Sequence, residues 1–543
     1  MSHSRLFGSL QFLARVAKLC DAQGMPSREG LELVRAQQRR AREFDASRRR
    51  FLASAGAGAA AYGLAGRRAF AKPAGQVDVD IVVVGAGLGG LAAAYHMQNQ
   101  GVRSVVYEAA PQLAGRCSSD TTSLGQTIEL GGEFINTGHS TMRGYANEFG
   151  FAVENLVNDD GHETFFVGGQ TVDEAVIVDE YRDLSFRMSK DKTEISNGPT
   201  AEWSSKRDVE FDYMTMAEYL DSRDAGANLR RILDVGYVVE YGREIDQQSA
   251  LNLLFFAHDD RRSKYKPLGQ FSDEKYHVIG GNQQIPRAIA DSLVEPVRYG
   301  HTLVAVYRMA SGRYRLTFAT GGGGLVDVMA DAVVLGIPFT VLRFVDFGPG
   351  VLPDWKADII DTLQYGTNSK LMVKFDRRTW LLDHHANGLA TIDRPDLHMT
   401  WESGLASASN GEGVLTDFAG GVLGATQNPN DSAYEAERFL AAAEHVFPGV
   451  ADDARRINGA LAHAFAHWPS NPLAGGSYVC SHPGYFTTME GLVGRRVDNL
   501  FFCGEHADSF YEWQGFMEGA ANAGIAAAVE LVHDLKSQVI VAP

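Results

Sequence analysis

The chain has 543 residues, of which 45% are hydrophobic and 22% charged; this length allows two or three domains around a large core and excludes a disordered or fibrous protein. Its formal net charge of -17 argues against nucleic acid as a partner. Its four cysteines, Cys20, Cys117, Cys480 and Cys503, include no C-x-x-C pair and no zinc-like spacing, which argues against a disulfide framework or a structural metal.

The first 71 residues are predicted to be an N-terminal extension. Residues 1–45 have the spacing of an amphipathic helix, with Leu6, Leu10, Leu13 and Ala17 on one face. The sequence from Ser47 to Leu52, with three arginines, then precedes a weakly apolar stretch and an A-x-A site, Ala69-Phe70-Ala71. This pattern resembles a twin-arginine export signal.

The export pattern predicts cleavage after Ala71 and a periplasmic or extracellular protein. The alternative is a basic N-terminal helix that stays attached. No stretch of the sequence approaches the ~20 apolar residues of a membrane span, so stable membrane insertion is not expected.

A strand, a glycine-rich turn, a helix and a second strand follow between Ile81 and Glu108. Gly85 permits the tight turn, Gly87 lets the backbone approach a pyrophosphate, and Gly90 lets the helix pack closely on the strand. Glu108 ends the second strand, where its carboxylate can accept hydrogen bonds from a ribose hydroxyl and disfavours a 2′-phosphate. The spacing predicts a dinucleotide-binding βαβ unit.

The later segments predict an α/β fold with α+β insertions: a Rossmann-like domain and a discontinuous substrate domain with a mixed sheet. Further strands are predicted at 332–338, 370–375 and 499–505, a hairpin at 303–318, a hairpin tip at 321–324 and a last helix at 515–533. We assign 77–150, 262–338 and 468–535 to the cofactor domain, and 151–261 and 339–467 to the substrate domain.

Four groups of residues lie in an order that is known from one family: Gly85 to Gly90 with Glu108; residues 114–116 followed by 130–132; Trp468, Pro472 and 475–478; and Gly504-Glu505 with 513–520. By these groups residues 77–535 resemble the flavin-containing amine oxidases, which include monoamine, polyamine and L-amino acid oxidases. The resemblance implies FAD as the cofactor.

The resemblance also implies roles for several residues around that cofactor. It places Arg116, next to Gly115, at the pyrophosphate, the backbone of Gly131 and Gly132 against the isoalloxazine, and Glu505 at the ribityl-phosphate region.

At the other end of the cofactor, Leu303 falls where family members hold the adenine through backbone bonds. Gly504, Gly515 and Phe516 belong to the matched motifs, and Met517 begins a helix whose N-terminus favours negative charge on the reduced flavin.

Covalent attachment of the flavin is not expected. The mammalian monoamine oxidases have a cysteine just before the active-site tyrosine, whereas this chain has Ser477 there. A serine offers no thioether, and Cys480 lies beyond the tyrosine. We therefore predict non-covalent FAD.

Three residues match the catalytic positions of the family. Lys370 matches the lysine that holds a water against flavin N5, although an exposed strand lysine is a common alternative. Tyr478 and Phe516 match the two aromatic rings that flank the substrate amine, where ring faces stabilise developing positive charge. The implied reaction oxidises an amine to an imine, which water hydrolyses to a carbonyl compound and ammonia or a smaller amine.

The substrate is predicted to be a small-molecule amine rather than an amino acid. The segment from Leu130 to Asn136 contains Glu133, which would repel a substrate carboxylate, and the next arginine is Arg143. Glu133 could pair with the distal ammonium of a diamine or polyamine, or instead bond to backbone or flavin.

Several alternatives stay open at the level of sequence. An L-amino acid oxidase for basic side chains is the second hypothesis, and a desaturase of the phytoene type is the third. Electrons would pass to O2, giving hydrogen peroxide, or to a cytochrome, quinone or other electron-acceptor. A homodimer is one possible assembly.

Overall fold

The computed structural model describes the chain over residues 5–36, 38, 80–156, 161–196, 198–256, 273–403, 411–508, 513–537 and 540. The twin-arginine sequence and the cleavage site at Ala71 lie outside these residues. The export signal therefore stays a prediction.

The described strands, in chain order, are β1 (Ile81–Val84), β2 (Val105–Tyr107), β3 (Ser119–Asp120), β4 (Ile128–Glu129), β5 (Val153–Asn155), β6 (His162–Val167), β7 (Gln170–Thr171), β8 (Tyr276–Val278), β9 (His301–Arg308), β10 (Tyr314–Thr320), β11 (Leu325–Ala330), β12 (Ala332–Leu335), β13 (Asp346–Phe347), β14 (Ser369–Phe375), β15 (Ala386–Arg394), β16 (Leu397–Ser403), β17 (Gly413–Ala419), β18 (Arg456–Ile457), β19 (Ala460–Leu461), β20 (His463–His467) and β21 (Leu500–Phe502).

The described helices are α1 (Arg5–Gln23), α2 (described over 27–36), α3 (Leu88–Asn99), α4 (Ser140–Glu148), α5 (Glu174–Arg187), α6 (Ser189–Glu194), α7 (Lys206–Tyr213), α8 (Met216–Ser222), α9 (Ala227–Tyr241), α10 (Leu251–Phe256), α11 (Gln284–Ser292), α12 (Phe339–Leu342), α13 (Asp354–Thr362), α14 (Thr379–Leu382), α15 (Gly421–Thr426), α16 (Ser432–Val446), α17 (Tyr485–Thr488) and α18 (Met517–Lys536).

A parallel sheet of four strands in the order β2-β1-β12-β21 forms the centre of the nucleotide-binding part. All four residues of β1 are buried, as expected for a parallel strand covered on both faces. On one face α3 packs against α18 so closely that a Cβ on Gly524 would lie 2.0 Å from the Gly89 carbonyl oxygen. The predicted βαβ unit and α/β fold class are confirmed.

A second sheet has the order β11-β10-β9-β13. Its first three strands are antiparallel, and β13 is parallel to β9. The predicted hairpin is the β9–β10 pair, and Gly321 to Gly324 join β10 to β11. Leu303 lies on β9 and lines a cavity at the end of the parallel sheet, which is described below.

The largest sheet is mixed and has seven strands in the order β20-β14-β17-β16-β15-β6-β7. Its segments come from within the two ranges assigned to the substrate domain, although the domain boundaries themselves stay a prediction. Every residue of β14 is buried, including Lys370 and Lys374, so this strand carries two ammonium groups into the interior. Small two-stranded pairs, β3–β4, β5–β8 and β18–β19, complete the sheets of the described residues.

The N-terminal region forms two helices rather than the one that the spacing predicts. Gly24, with a φ of +64°, ends α1 in the left-handed conformation that glycine favours, and Pro26 follows. Leu10, Leu13 and Ala17 are buried as predicted, while the side chain of Leu6 lies outside the described set. The two helices pack against α5 of the substrate part.

Across the described ranges, none of the helices has the length and apolar content needed to cross a bilayer. Within the same ranges, no group of three or more His, Cys, Asp or Glu side chains is arranged to hold a metal ion. All four cysteines are buried and unpaired with one another.

Candidate active site

A cavity of about 360 Å³ lies at the carboxyl ends of the parallel strands, where open α/β sheets bind ligands. Its lining contains most of the predicted cofactor residues: Gly85, Gly87, Glu108, Gly115, Arg116, Leu303, Gly504, Glu505, Phe516 and Met517. The structure therefore brings together residues that are up to 432 positions apart in the sequence.

The three turn glycines have different packing reasons. A Cβ on Gly85, whose φ is +98°, would lie 2.7 Å from the Gly336 carbonyl oxygen, and one on Gly90 would lie 2.0 Å from the Gly85 carbonyl oxygen. A Cβ on Gly87 would meet nothing within 4 Å, because this glycine faces the cavity. Gly85 and Gly90 thus close the turn, and Gly87 leaves space for a ligand.

Glu108 stands at the end of β2 with its carboxylate held by main-chain groups. It accepts hydrogen bonds from the Ala86 N–H (2.6 Å) and the Ala110 N–H (2.9 Å). These bonds fix an acid beside the glycine turn at the cavity wall. The position fits a dinucleotide, and the ribose contact stays a prediction.

Arg116 is paired within the protein. Its guanidinium donates to Glu505 Oε1 (2.7 Å) and to the Ser477 carbonyl (2.8 Å). Burial raises the pKa of Glu505 more than any single neighbour lowers it. The charge of Arg116, its hydrogen bond and the neighbouring His506 together lower this pKa further, so that it lies below its usual value. Both bonds use Nη1, and the guanidinium has further N–H donors for a pyrophosphate. The pyrophosphate contact itself stays a prediction.

The other carboxylate oxygen of Glu505 accepts from the Gly515 N–H at 3.0 Å. Gly504 and Gly515 have φ angles of +128° and +80°, which explains glycine at both positions. Gly515 lies just outside the cavity lining, and Met517 begins α18 as predicted.

Gly131 and Gly132 also lie outside the lining and are explained by packing. A Cβ on Gly131 would lie 1.8 Å from the Arg116 carbonyl oxygen, and one on Gly132 would lie 2.8 Å from Met517 Cγ. Asn282 donates to the carbonyls of Gly132 (3.0 Å) and Glu133 (2.8 Å) and holds this segment in place. The contact of these two glycines with a flavin ring stays a prediction.

Lys370 is 2% exposed and lies directly behind the 129–133 segment. Its Nζ donates to the Glu129 carbonyl (2.6 Å), the Gly131 carbonyl (3.3 Å) and Glu133 Oε2 (2.7 Å). These acceptors match the three protons of the ammonium. A water-holding role requires the longest contact, to Gly131, to open.

Glu133 is 3% exposed, and its carboxylate accepts hydrogen bonds from other side chains besides Lys370. It accepts from Trp401 Nε1 (3.1 Å) and from Ser403 Oγ (2.9 Å). Sequence reasoning missed Trp401 and Ser403, because they enter the site through the register of β16 on β17, which no local motif encodes.

Trp468 connects the cavity with Tyr478 and with the segment that bonds Lys370. It lines the cavity, donates from Nε1 to the Leu130 carbonyl (3.0 Å) and packs with Ala474 and Tyr478 in one apolar cluster. Its place in a matched motif is the sequence signal that could have suggested this role.

The two predicted ring residues are both 1% exposed. Tyr478 donates its hydroxyl to the Val239 carbonyl at 3.1 Å. Phe516 lines the cavity, and its ring has edge contacts with His139 (5.1 Å between centroids) and Trp513 (5.9 Å). The cage role of the pair stays a prediction.

Comparison with known proteins gives consistent matches. The family model described as flavin containing amine oxidoreductase matches residues 88–532. The L-amino-acid oxidase of Siganus canaliculatus is 23% identical over 471 residues, which cover 83% of this chain and 85% of that protein. The probable polyamine oxidase 4 of Arabidopsis thaliana is 25% identical over 473 residues, which cover 83% and 87%.

The solved structure of cyclohexylamine oxidase from Brevibacterium oxydans IH-35A is similar with a TM-score of 0.70 and 20% identity. The match covers 85% of this chain and 100% of that one. It shows that the two chains share a fold.

Proposed function

The chain belongs to the flavin-containing amine oxidoreductase family, and from that premise we propose that it oxidises primary amines, diamines or polyamines with non-covalent FAD and dioxygen. Bound FAD supplies the two-electron acceptor. The imine product is hydrolysed to a carbonyl compound and ammonia or a smaller amine, and dioxygen is reduced to hydrogen peroxide.

The observation that carries the choice of amines is the buried Glu133 carboxylate beside Lys370. A second carboxylate, brought in by an amino acid, would need a cation of its own. Arg143, the first arginine after this segment, donates to the Thr137 carbonyl (2.8 Å) and lies over the Tyr276 ring. It is therefore engaged elsewhere.

Glu133 is assigned to holding Lys370 rather than to binding the far ammonium of a diamine. A second ammonium would have to displace the Lys370, Trp401 and Ser403 contacts. Glu133→Gln should therefore change the KM of diamines and monoamines alike. A KM increase restricted to diamines would instead give Glu133 the ammonium-binding role.

Non-covalent flavin is supported by the side chains near the cavity. Ser477 Oγ donates to Asn368 Oδ1 at 2.6 Å. Cys117, the one cysteine in the cavity lining within the described residues, is buried. Burial raises the pKa of the Cys117 thiol, so it stays protonated and a poor nucleophile. Mild denaturation should release intact FAD, and flavin that stays on the denatured chain would contradict this.

The substrate and the acceptor are tested by one experiment with two stages. The flavin-loaded protein is mixed without oxygen with monoamines, diamines, polyamines and L-amino acids, and bleaching of the flavin identifies the substrate. Air is then admitted. Fast recolouring supports an oxidase, whereas recolouring only with a cytochrome or quinone would make it a dehydrogenase.

An L-amino acid oxidase for basic side chains is the second candidate, favoured by the similarity to the Siganus canaliculatus protein. Bleaching by arginine or lysine with release of a 2-oxo acid would establish it in place of the amine oxidase. Export by the twin-arginine pathway belongs to the proposal and rests on residues 47–71 alone. Assembly as a homodimer is to be measured by sedimentation.

A further inference from the structure

Helices α1 and α2 form part of the main apolar core, although they precede the twin-arginine sequence. Five of their apolar side chains are at most 4% exposed: Leu10, Leu13, Val16, Leu31 and Val34. They belong to the same apolar cluster as the buried face of α5: Ile177, Val178, Tyr181 and Leu184. Removing α1 and α2 would expose this face of α5 to water.

Ion pairs also join helices α1 and α2 to α5, around the edge of their apolar contact. Arg182 on α5 donates to Asp21 at 2.5 Å, and Arg28 pairs with Asp173 at 2.6 Å. Arg35 pairs with Glu174, which begins α5. Charges on the N-terminal helices therefore match opposite charges along α5.

The two helices are also fixed to each other. The Met25 N–H donates to the Cys20 carbonyl at 3.0 Å, and a Cβ on Gly30 would lie 2.2 Å from Cys20 Sγ. Only glycine permits this close approach, so α1 and α2 dock on α5 as one unit.

We propose that residues 5–36 stay bound to α5 in the exported enzyme, so that cleavage after Ala71 gives a two-chain protein rather than a shortened one. The cleavage rests on the export proposed above, whereas the docking rests on the contacts alone. The export sequence is then attached at both ends to folded protein, through α2 and through β1.

The docking is tested on full-length, flavin-loaded protein in which residues 72–75 are replaced by a site for a specific protease. After the cut, the fragment should co-elute with the body on gel filtration, and the unfolding temperature should match that of uncut protein. A fragment that elutes alone, with the body unchanged in unfolding temperature and activity, would overturn the proposal.

Variants of single residues sharpen this test. Leu13→Asp places a charge in the buried contact and should speed release of the cut fragment by at least ~10-fold. Glu29→Gln changes an exposed position of α2 and should leave the release rate unchanged. Where Leu13→Asp does not fold, Arg182→Gln removes the contact with Asp21 and should speed release several-fold; equal rates for all variants would contradict the docking.

The mass of the exported protein provides a second measurement. Periplasmic material should contain the N-terminal fragment or an uncut chain, and a stable body without residues 5–36 would overturn the inference. Failure of export would instead refute the localisation, and the cut assay would still decide the docking.

Discussion

The cavity wall between Gly85 and Gly90 and the cluster around Lys370 are neighbours that are built differently. The wall consists of main-chain groups and of glycines whose missing side chains leave room. The cluster consists of buried charged and aromatic side chains, Lys370, Glu133 and Trp401, from separate parts of the chain. The wall should therefore be sensitive to added side-chain volume, whereas the cluster should be sensitive to the loss of one of its opposite charges.

The largest expected effect comes from breaking that charge balance. Lys370→Met leaves the Glu133 carboxylate buried without its cation and should cost about 3–5 kcal/mol of unfolding free energy. The double variant Lys370→Met/Glu133→Gln should recover most of this stability while flavin reduction by amines stays slow in both. Urea unfolding and anaerobic stopped-flow give the two readouts, and additive losses in the double variant would refute the coupling.

The wall is tested next by a matched pair of glycine variants. Gly90→Ala places a methyl group against the Gly85 carbonyl and should lower the free energy of unfolding by about 3 kcal/mol. It should also weaken flavin binding. Gly87→Ala meets no protein atom and should leave the flavin-free protein within about 0.5 kcal/mol of wild type while weakening FAD binding. If Gly87→Ala and Gly90→Ala lower the stability equally, Gly87 does not face open space as the structure indicates.

The ring residues should show a smaller effect that is confined to the reaction rate. Phe516→Ala removes the ring at the cavity wall and should slow anaerobic flavin reduction by about 10–100-fold, whereas Phe516→Tyr keeps the ring and should stay within about 3-fold. Tyr478→Phe, which loses only the bond to the Val239 carbonyl, is the matched control. If flavin reduction is as slow in Phe516→Tyr as in Phe516→Ala, the ring face does not determine its rate.

The smallest effect is a pH dependence beside the lysine. Burial raises the pKa of Glu129 from 4.5 to about 7, so the folded protein holds a proton that the unfolded chain loses between these values. The contribution of Glu129 to the free energy of unfolding therefore falls as the pH rises from about 4.5 to 7. Glu129→Gln, which can still bond Ser119 and Asn282, should gain about 2 kcal/mol relative to wild type between pH 5 and 8.

Glu32→Gln, a change at an exposed position of α2, serves as the control for this pH dependence. Unfolding in urea at pH 5 and pH 8 measures both variants. A gain from Glu129→Gln that is the same at the two pH values would show that the buried charge of Glu129 is not its cause.

The two regions also differ in how far sequence predicts them. Gly85, Gly87 and Gly90 lie within six residues, so their spacing alone predicts the turn that the structure has. Lys370 and Glu133 are 237 residues apart, and their contact depends on how β14 meets the 129–133 segment. A motif match can suggest each residue, but not that they form a pair.

The N-terminal region shows a different limit. The helical spacing found Leu10, Leu13 and Ala17 on one buried face, because that face follows from the periodicity. Their partner, α5, begins more than 150 residues later and could not be inferred. Gly24 and Pro26 separate the two helices, and helical spacing alone does not indicate this break.

Arg116 joins Glu505 to the segment that carries Tyr478, because one guanidinium bonds both Glu505 and the carbonyl directly before Tyr478. Both bonds use Nη1, so the guanidinium keeps further N–H donors that a ligand phosphate can take while these bonds hold. A phosphate that binds there and orients Arg116 would favour the same placement of the Tyr478 ring, so cofactor loading and ring placement would shift each other by the same free energy.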